Sequence, residues 1–207
     1  AGNDTLALAA NVDANVASFV TGSGDDIINI DAITASMETG VFGGEDDDSV
    51  TIVTDFLDVG TISGGSGNDS IRGVFDEIDA DSISGGAGND TIGVDYYFAH
   101  IGSVSGDSGD DNIGLNKSAD TVYGSDPVWL DDDSTAQVEV FGGLGNDTIE
   151  TTGDLIEFEE PTSIFGGQGS DVVITGASHD VIHIEVSGEE ETDRIVGCAR
   201  QNDTLVM

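Results

Sequence analysis

What most restricts the fold of this chain is an octapeptide that keeps returning. Gly64-Gly65-Ser66-Gly67-Asn68-Asp69-Ser70-Ile71 comes back 21 residues later as Gly85-Gly86-Ala87-Gly88-Asn89-Asp90-Thr91-Ile92, and again as Gly142-Gly143-Leu144-Gly145-Asn146-Asp147-Thr148-Ile149. Looser copies complete the series: Thr21-Gly22-Ser23-Gly24-Asp25-Asp26, Gly43-Gly44-Glu45-Asp46-Asp47-Asp48, Gly106-Asp107-Ser108-Gly109-Asp110-Asp111 and Gly166-Gly167-Gln168-Gly169-Ser170-Asp171. The chain opens on the tail of one more, Gly2-Asn3-Asp4-Thr5-Leu6. Each copy is a glycine-rich turn, an aspartate and an aliphatic residue. Glycine admits positive φ and close backbone approach, so the pattern reads as a turn followed by the start of a strand. The aspartates 4, 26, 48, 69, 90, 111, 147 and 171 are spaced by 22, 22, 21, 21, 21, 36 and 24 residues.

A repeat of this length predicts one elongated solenoid rather than separate globular domains. Two residues after successive aspartates stand Ile28, Val50, Ile71, Ile92, Ile113, Ile149 and Val173, and seven before them Phe19, Val41, Ile62, Ile83, Val104, Val140 and Ile164. The alternation after each aspartate has the period of a strand. Each repeat therefore reads strand, irregular turn, strand, glycine loop. About nine coils stacked at the ~4.8 Å strand spacing would make a rod on the order of 40 Å long. The 36-residue interval predicts a bulged loop or degenerate coil over 124–136, because Pro127 and the triplet Asp131-Asp132-Asp133 interrupt a strand pattern. The expected organisation is a solenoid over 1–176 and a cap of degenerate coils over 177–207. The missing initiator Met and the opening inside a repeat point to a fragment of a longer parent chain.

Forty-two acidic residues against four basic ones give a net charge of −38. Phosphate would be repelled, which excludes nucleic acid as a partner. No apolar run is long enough for a membrane-spanning helix. The single cysteine, Cys198, reads as a small core residue. Acidity of this degree also describes disordered chains, but the aliphatic columns are not what a permanently disordered chain needs. Stacked loops would set the aspartates in a ladder of like charges that repels itself without cations. Ca²⁺ takes six to eight oxygen ligands and mixes carboxylates with backbone carbonyls, which a glycine loop exposes. The candidate ligands are Gly22, Gly24 and Asp26; Gly43, Gly44, Asp46 and Asp48; Gly64, Gly65, Gly67 and Asp69; Gly85, Gly86, Gly88 and Asp90; Gly106, Asp107, Gly109 and Asp111; Gly142, Gly143, Gly145 and Asp147; and Gly166, Gly167, Gly169 and Asp171. Pairs of successive loops predict about five or six calcium ions, each bridging two coils, with binding energy that becomes folding energy.

These loops resemble the RTX (repeats-in-toxin) family, whose nonapeptide GGxGxDxU builds a parallel β-roll. The loops of Asp69, Asp90 and Asp147 match in full, and that of Asp171 matches with Ser170 in the variable place. The Asp26 loop has Thr21 for the first glycine, the Asp111 loop has Asp107 for the second, and the Asp48 loop has Asp46 for the third. The resemblance implies an all-β, right-handed parallel β-roll, type I secretion from a bacterium, and folding triggered by extracellular calcium. The family usually runs its nonapeptides in tandem and lines both edges of an 18-residue coil with calcium. Here the motif comes once per 21 or 22 residues, so one edge should carry metal; only Asp171 and Asp180 keep a nine-residue step.

Two other groupings compete for a role. Tyr96, His100 and Lys117 on the irregular edge could make a carbohydrate-active site, as a polysaccharide binder, lyase or epimerase; the plainer reading is an exposed turn with aromatic packing. His179 and His183 lie four apart beside Asp180, a spacing a transition metal could use. The reading favoured by the residues is a non-enzymatic, calcium-binding module of a secreted or surface protein, acting as a structural or adhesive spacer. An extracellular glycan or cell-surface partner would suit it.

Overall fold

A computed structural model describes residues 2–10, 14–117, 139–153, 162–175, 180–184, 192–196 and 204–206. The expected loop at 124–136, Cys198 and His179 lie outside the described residues. Among those described, every element is a strand: β1 (Thr5–Ala10), β2 (Ala14–Asn15), β3 (Ser18–Ser23), β4 (Ile27–Glu45), β5 (Ser49–Ser66), β6 (Ser70–Ala87), β7 (Thr91–Ser108), β8 (Asn112–Lys117), β9 (Glu139–Leu144), β10 (Thr148–Gly153), β11 (Thr162–Gln168), β12 (Val172–Thr175), β13 (Asp180–His183), β14 (Arg194–Val196) and β15 (Thr204–Val206). All pair in parallel with strands of neighbouring coils, as a β-solenoid of about seven turns at ~22-residue spacing. One path runs β1-β4-β5-β6-β7-β8-β10-β12-β14. The other leads into the loops, from β3 through β4 to β7 and on through β9, β11, β13 and β15.

Register follows the aliphatic columns. Leu6, Ile28, Val50, Ile71, Ile92, Ile113, Ile149, Val173 and Ile195 stand partner to partner along the rod. So do Phe19, Val41, Ile62, Ile83, Val104, Val140, Ile164, Ile182 and Leu205. Most of both columns is buried, and Leu57, Ile78, Met37, Val59, Ala80 and Ile101 join them to form one core. A coil has only one apolar side, and stacking is what removes it from water.

The far edge differs from the expected irregular turn. In β4 to β7 the pairing runs on round the coil through strands of 18 or 19 residues, skipping single positions such as Asp55 against Asp76. The step from a 22- to a 21-residue coil is taken up by a register shift between Met37 and Gly40. Gly40, at φ 136°, is required there because a Cβ would strike the backbone of Thr61. The 36-residue interval leaves the ladders intact. β8 and β10 pair as Asn112 with Thr148, and β7 and β9 as Ser103 with Glu139.

Candidate metal centre

The three residues between successive long strands form the glycine corner, and the geometry that recurs there from coil to coil begins with backbone. Gly88 has φ 136°, and a Cβ on it would collide with the carbonyl oxygen of Gly67 in the preceding coil. The same conformation persists where glycine is replaced. Asp46 adopts φ 76° and Asp107 φ 71°, left-handed values that Asp tolerates better than most residues. Asp46 Oδ2 accepts the Gly24 N–H at 3.1 Å, and Asp107 is capped by the hydroxyls of Ser84 (2.5 Å) and Ser105 (2.6 Å).

Each key aspartate is turned inward. Asp26, Asp48, Asp69, Asp90, Asp111, Asp147 and Asp171 are all buried, none more than 4 % exposed. One oxygen of each carboxylate is accounted for: the Asp48 N–H donates to Asp69 Oδ1 at 2.7 Å, Asp69 N–H to Asp90 Oδ1 at 2.7 Å, Asp90 N–H to Asp111 Oδ1 at 2.7 Å and Asp111 N–H to Asp147 Oδ1 at 2.9 Å. The file begins at Asp4, whose N–H donates to Asp26 Oδ1 at 2.6 Å. The second oxygen is not accounted for. Oδ2 of Asp26, Asp48, Asp69, Asp90, Asp111 and Asp147 is buried and accepts no hydrogen bond among the described residues. Leaving a buried charged oxygen without a partner costs several kcal/mol, on the order of a broken buried ion pair.

Among the described residues no Lys or Arg is seen to pair with the Oδ2 atoms of Asp26, Asp48, Asp69, Asp90, Asp111 or Asp147. Arg72 pairs with Asp95, and His100 Nδ1 lies 3.0 Å from Asp79 Oδ1, both away from the file. Burial, partly offset by the donated N–H and reinforced by neighbouring carboxylates, lifts Asp69 and Asp90 to about 6 and Asp147 to about 7, and raises Asp48 and Asp111.

The oxygens fit a hard cation. A Cβ placed on Gly43 would strike both Asp48 Oδ2 and the Gly64 carbonyl oxygen; one placed on Gly142 would strike both Asp147 Oδ2 and the Gly166 carbonyl oxygen. A carboxylate of one coil and a first-glycine carbonyl of the next therefore converge on the same point. No three Asp, Glu, His or Cys side chains gather into one cluster among the described residues, so carbonyls have to supply the rest of the ligand shell, as suits Ca²⁺ better than a thiophilic or imidazole-seeking metal. At the first substituted loop the Thr21 hydroxyl donates to the Gly43 carbonyl at 2.5 Å and so engages the oxygen that a metal between loops 26 and 48 would use.

Sequence reasoning missed two features. Asp193, which falls within the expected cap of degenerate coils over 177–207, takes the next place in the file: its Oδ1 accepts the Asp171 N–H at 3.1 Å and Arg194 pairs with Val172. The signal was the 22-residue step from Asp171 with Ile195 two residues on. The second is an exposed ladder of the residues just before the aspartates, running the opposite way. Asn68 N–H donates to Asp47 Oδ1, Asn89 N–H to Asn68 Oδ1, Asp110 N–H to Asn89 Oδ1 and Asn146 N–H to Asp110 Oδ1, at 2.7–2.9 Å. The recurrent Asn-Asp dipeptide thus satisfies both of its N–H groups, one from the coil above and one from the coil below.

The competing groupings lie elsewhere. Tyr96 packs partly buried against the core and Lys117 stands opposite it in the ladder, whereas His100 is exposed with Nδ1 3.0 Å from Asp79 Oδ1. His183 stacks on Phe165, centroids 4.2 Å apart, and Phe165 on Phe141 at 4.8 Å. Asp180 stands opposite Thr162 on the path leading into the loops, away from the aspartate file.

Comparison with known families finds the RTX calcium-binding nonapeptide repeat in four copies, at residues 60–73, 75–93, 139–154 and 163–183. These spans hold the loops of Asp69, Asp90, Asp147 and Asp171; the three loops with a substituted glycine fall outside them. No curated protein and no solved structure matches the chain.

Proposed function

We propose, from the premise that this chain is built of RTX calcium-binding repeats, that it is a calcium-dependent folding module of a secreted or cell-surface bacterial protein, and that it serves as a structural or adhesive spacer rather than an enzyme. The observation that carries this reading is the file of buried carboxylate oxygens with no partner. When bound, calcium supplies the positive charge the corner lacks. The chain's own part is to hold one carboxylate per coil, by its Oδ1 hydrogen bond, and to turn glycine carbonyls toward it. The ligands are the glycines and aspartates of the seven loops, with ions between loops 48/69, 69/90, 90/111, 111/147 and 147/171. The 26/48 gap is the weakest, since the Thr21 hydroxyl already engages the Gly43 carbonyl. The gap 111/147 joins this set because the two loops, 36 residues apart, are neighbours in space. Such sites are filled in millimolar extracellular calcium and empty in the cytosol, so a chain of this kind stays extended until exported. No helix among the described residues is long and apolar enough to cross a membrane.

Circular dichroism tests the reading. At neutral pH the chain should be largely unfolded in chelator and gain β structure in millimolar calcium. A chain equally folded in both, with an unchanged melting temperature, would contradict it.

A further inference from the structure

The outer face of the sheet has a second feature, remote from the corner. Arg72, Gly93, Gly114 and Glu150 stand in register in four consecutive coils. With side chains at both ends and none between, they leave a notch of about 290 Å³, lined also by Val94, Asp95 and Leu115. These two glycines are unlike those of the loops. Neither has positive φ; a Cβ on Gly93 would meet nothing within 4 Å, and one on Gly114 only the Ile92 carbonyl oxygen at 3.9 Å. The backbone does not require them, and glycine inside a strand weakens it. What their lack of side chains provides is open backbone floor between charged walls.

We propose that this notch binds a small ligand carrying a primary ammonium group and, a few ångströms away, a hydroxyl or carboxylate. The walls hold two carboxylates to one guanidinium: Asp95 Oδ2 lies 3.7 Å from Arg72 Nη2, and Glu150 closes the other end. The excess negative charge, on a chain of −38, selects a cationic group for the Glu150 end. Arg72, a multiple donor, receives an oxygen acceptor at the other. Three strand spacings of about 4.8 Å separate the Arg72 and Glu150 backbones, and the side chains shorten that span to the length of one amino sugar or one dipeptide.

Amide chemical shifts of Gly93 and Gly114 in the calcium-loaded protein, titrated with glucosamine and with glycylglycine, test the site and separate its two sources. One of the two should give saturable shifts at both glycines with a dissociation constant on the order of 1 mM, as fits a ligand of about a dozen heavy atoms. Glucose, lacking the ammonium group, should bind at least about tenfold more weakly, and Glu150→Gln should weaken the amine ligand by a similar factor. Gly93→Val fills the notch with a strand-favouring side chain and should abolish binding without lowering the melting temperature. Absence of shifts with both amines, glucose binding as tightly as glucosamine, or full binding by Gly93→Val or Glu150→Gln would each overturn the proposal.

Discussion

At the glycine corner the aspartates keep one file although the sequence intervals between them run 22, 22, 21, 21, 21, 36 and 24. On the far side of the same coils the chain shifts register at Met37–Gly40, where a 22-residue coil gives way to a 21-residue one. Variation in length is therefore excluded from the corner, and the one-residue step seen among the described residues is taken up away from it. The physical reason is the kind of contact each edge makes. The corner stacks backbone on backbone, with carbonyls where a Cβ would have to go and a buried carboxylate in each layer, so a displaced coil loses several contacts together. The far edge also carries side-chain contacts at or near the surface, such as His100 on Asp79 or Thr61 Oγ1 with Ser82 Oγ at 3.1 Å, and it takes up a one-residue shift at Met37–Gly40 without breaking the core.

The sharpest way to break the comparison is to remove one carboxylate from the file. Asp90→Ala borders two gaps and takes away the acceptor for the Asp69 N–H. Calorimetric titration should show calcium stoichiometry falling by up to two. Urea denaturation in saturating calcium should show a loss of about 3–5 kcal/mol, as for other broken buried charge networks. Unchanged stoichiometry would mean the loops do not share metal. A smaller effect sharpens the contrast between kinds of glycine. Gly88→Ala should cost about 2–4 kcal/mol, because positive φ and the Gly67 carbonyl both oppose a Cβ. Gly93→Ala should stay within about 0.5 kcal/mol.

Acidity gives the third and gentlest test. Asp69 and Asp90 titrate at about 6 and Asp147 at about 7 in the folded chain, above the ordinary value of 3.8. Between those limits the folded form binds more protons than the unfolded one. Without metal, then, the fold gains stability as pH falls from about 7 toward 4 and loses it as pH rises back through 6 to 7. With calcium the direction reverses, because the ligands must be deprotonated. Dichroism at pH 5 and pH 8, with chelator and with calcium, should show chelated protein more ordered at pH 5 and calcium affinity higher at pH 8. A metal-free chain less ordered at pH 5 would contradict the account of the carboxylates.

Much of the corner was legible in the residues because the same pressures act in every coil. Glycine where carbonyls crowd, aspartate where a charge is enclosed, and Ile or Val two positions on recur at Asp69, Asp90 and Asp147 alike. Substituted loops were legible as loops, but Asp46 and Asp107 could not be placed: whether an aspartate at a glycine position turns to a metal, to the Gly24 N–H or to Ser84 and Ser105 depends on neighbours one coil away. The continuous pairing of the far edge escaped notice for the same reason. The apolar columns Leu57, Ile78, Ala99 and Met37, Val59, Ala80, Ile101 were legible there, but rows such as Ser36, Asp58, Asp79 and His100 mix residue types and give no strand period. Asp193 was not placed in the file because of the motif's three glycines only Gly188 remains before it, although its distance from Asp171 fits the period.

The claim beneath the rest is that metal joins each glycine corner to the next. A crystal structure of the calcium-loaded chain measures that directly. The account predicts calcium peaks between successive loops, within bonding distance of Asp69 Oδ2, Asp90 Oδ2 and Asp147 Oδ2 and of carbonyl oxygens from the neighbouring coil. Ordered corners without metal, or calcium bound only at acidic side chains on the outer faces, would contradict it.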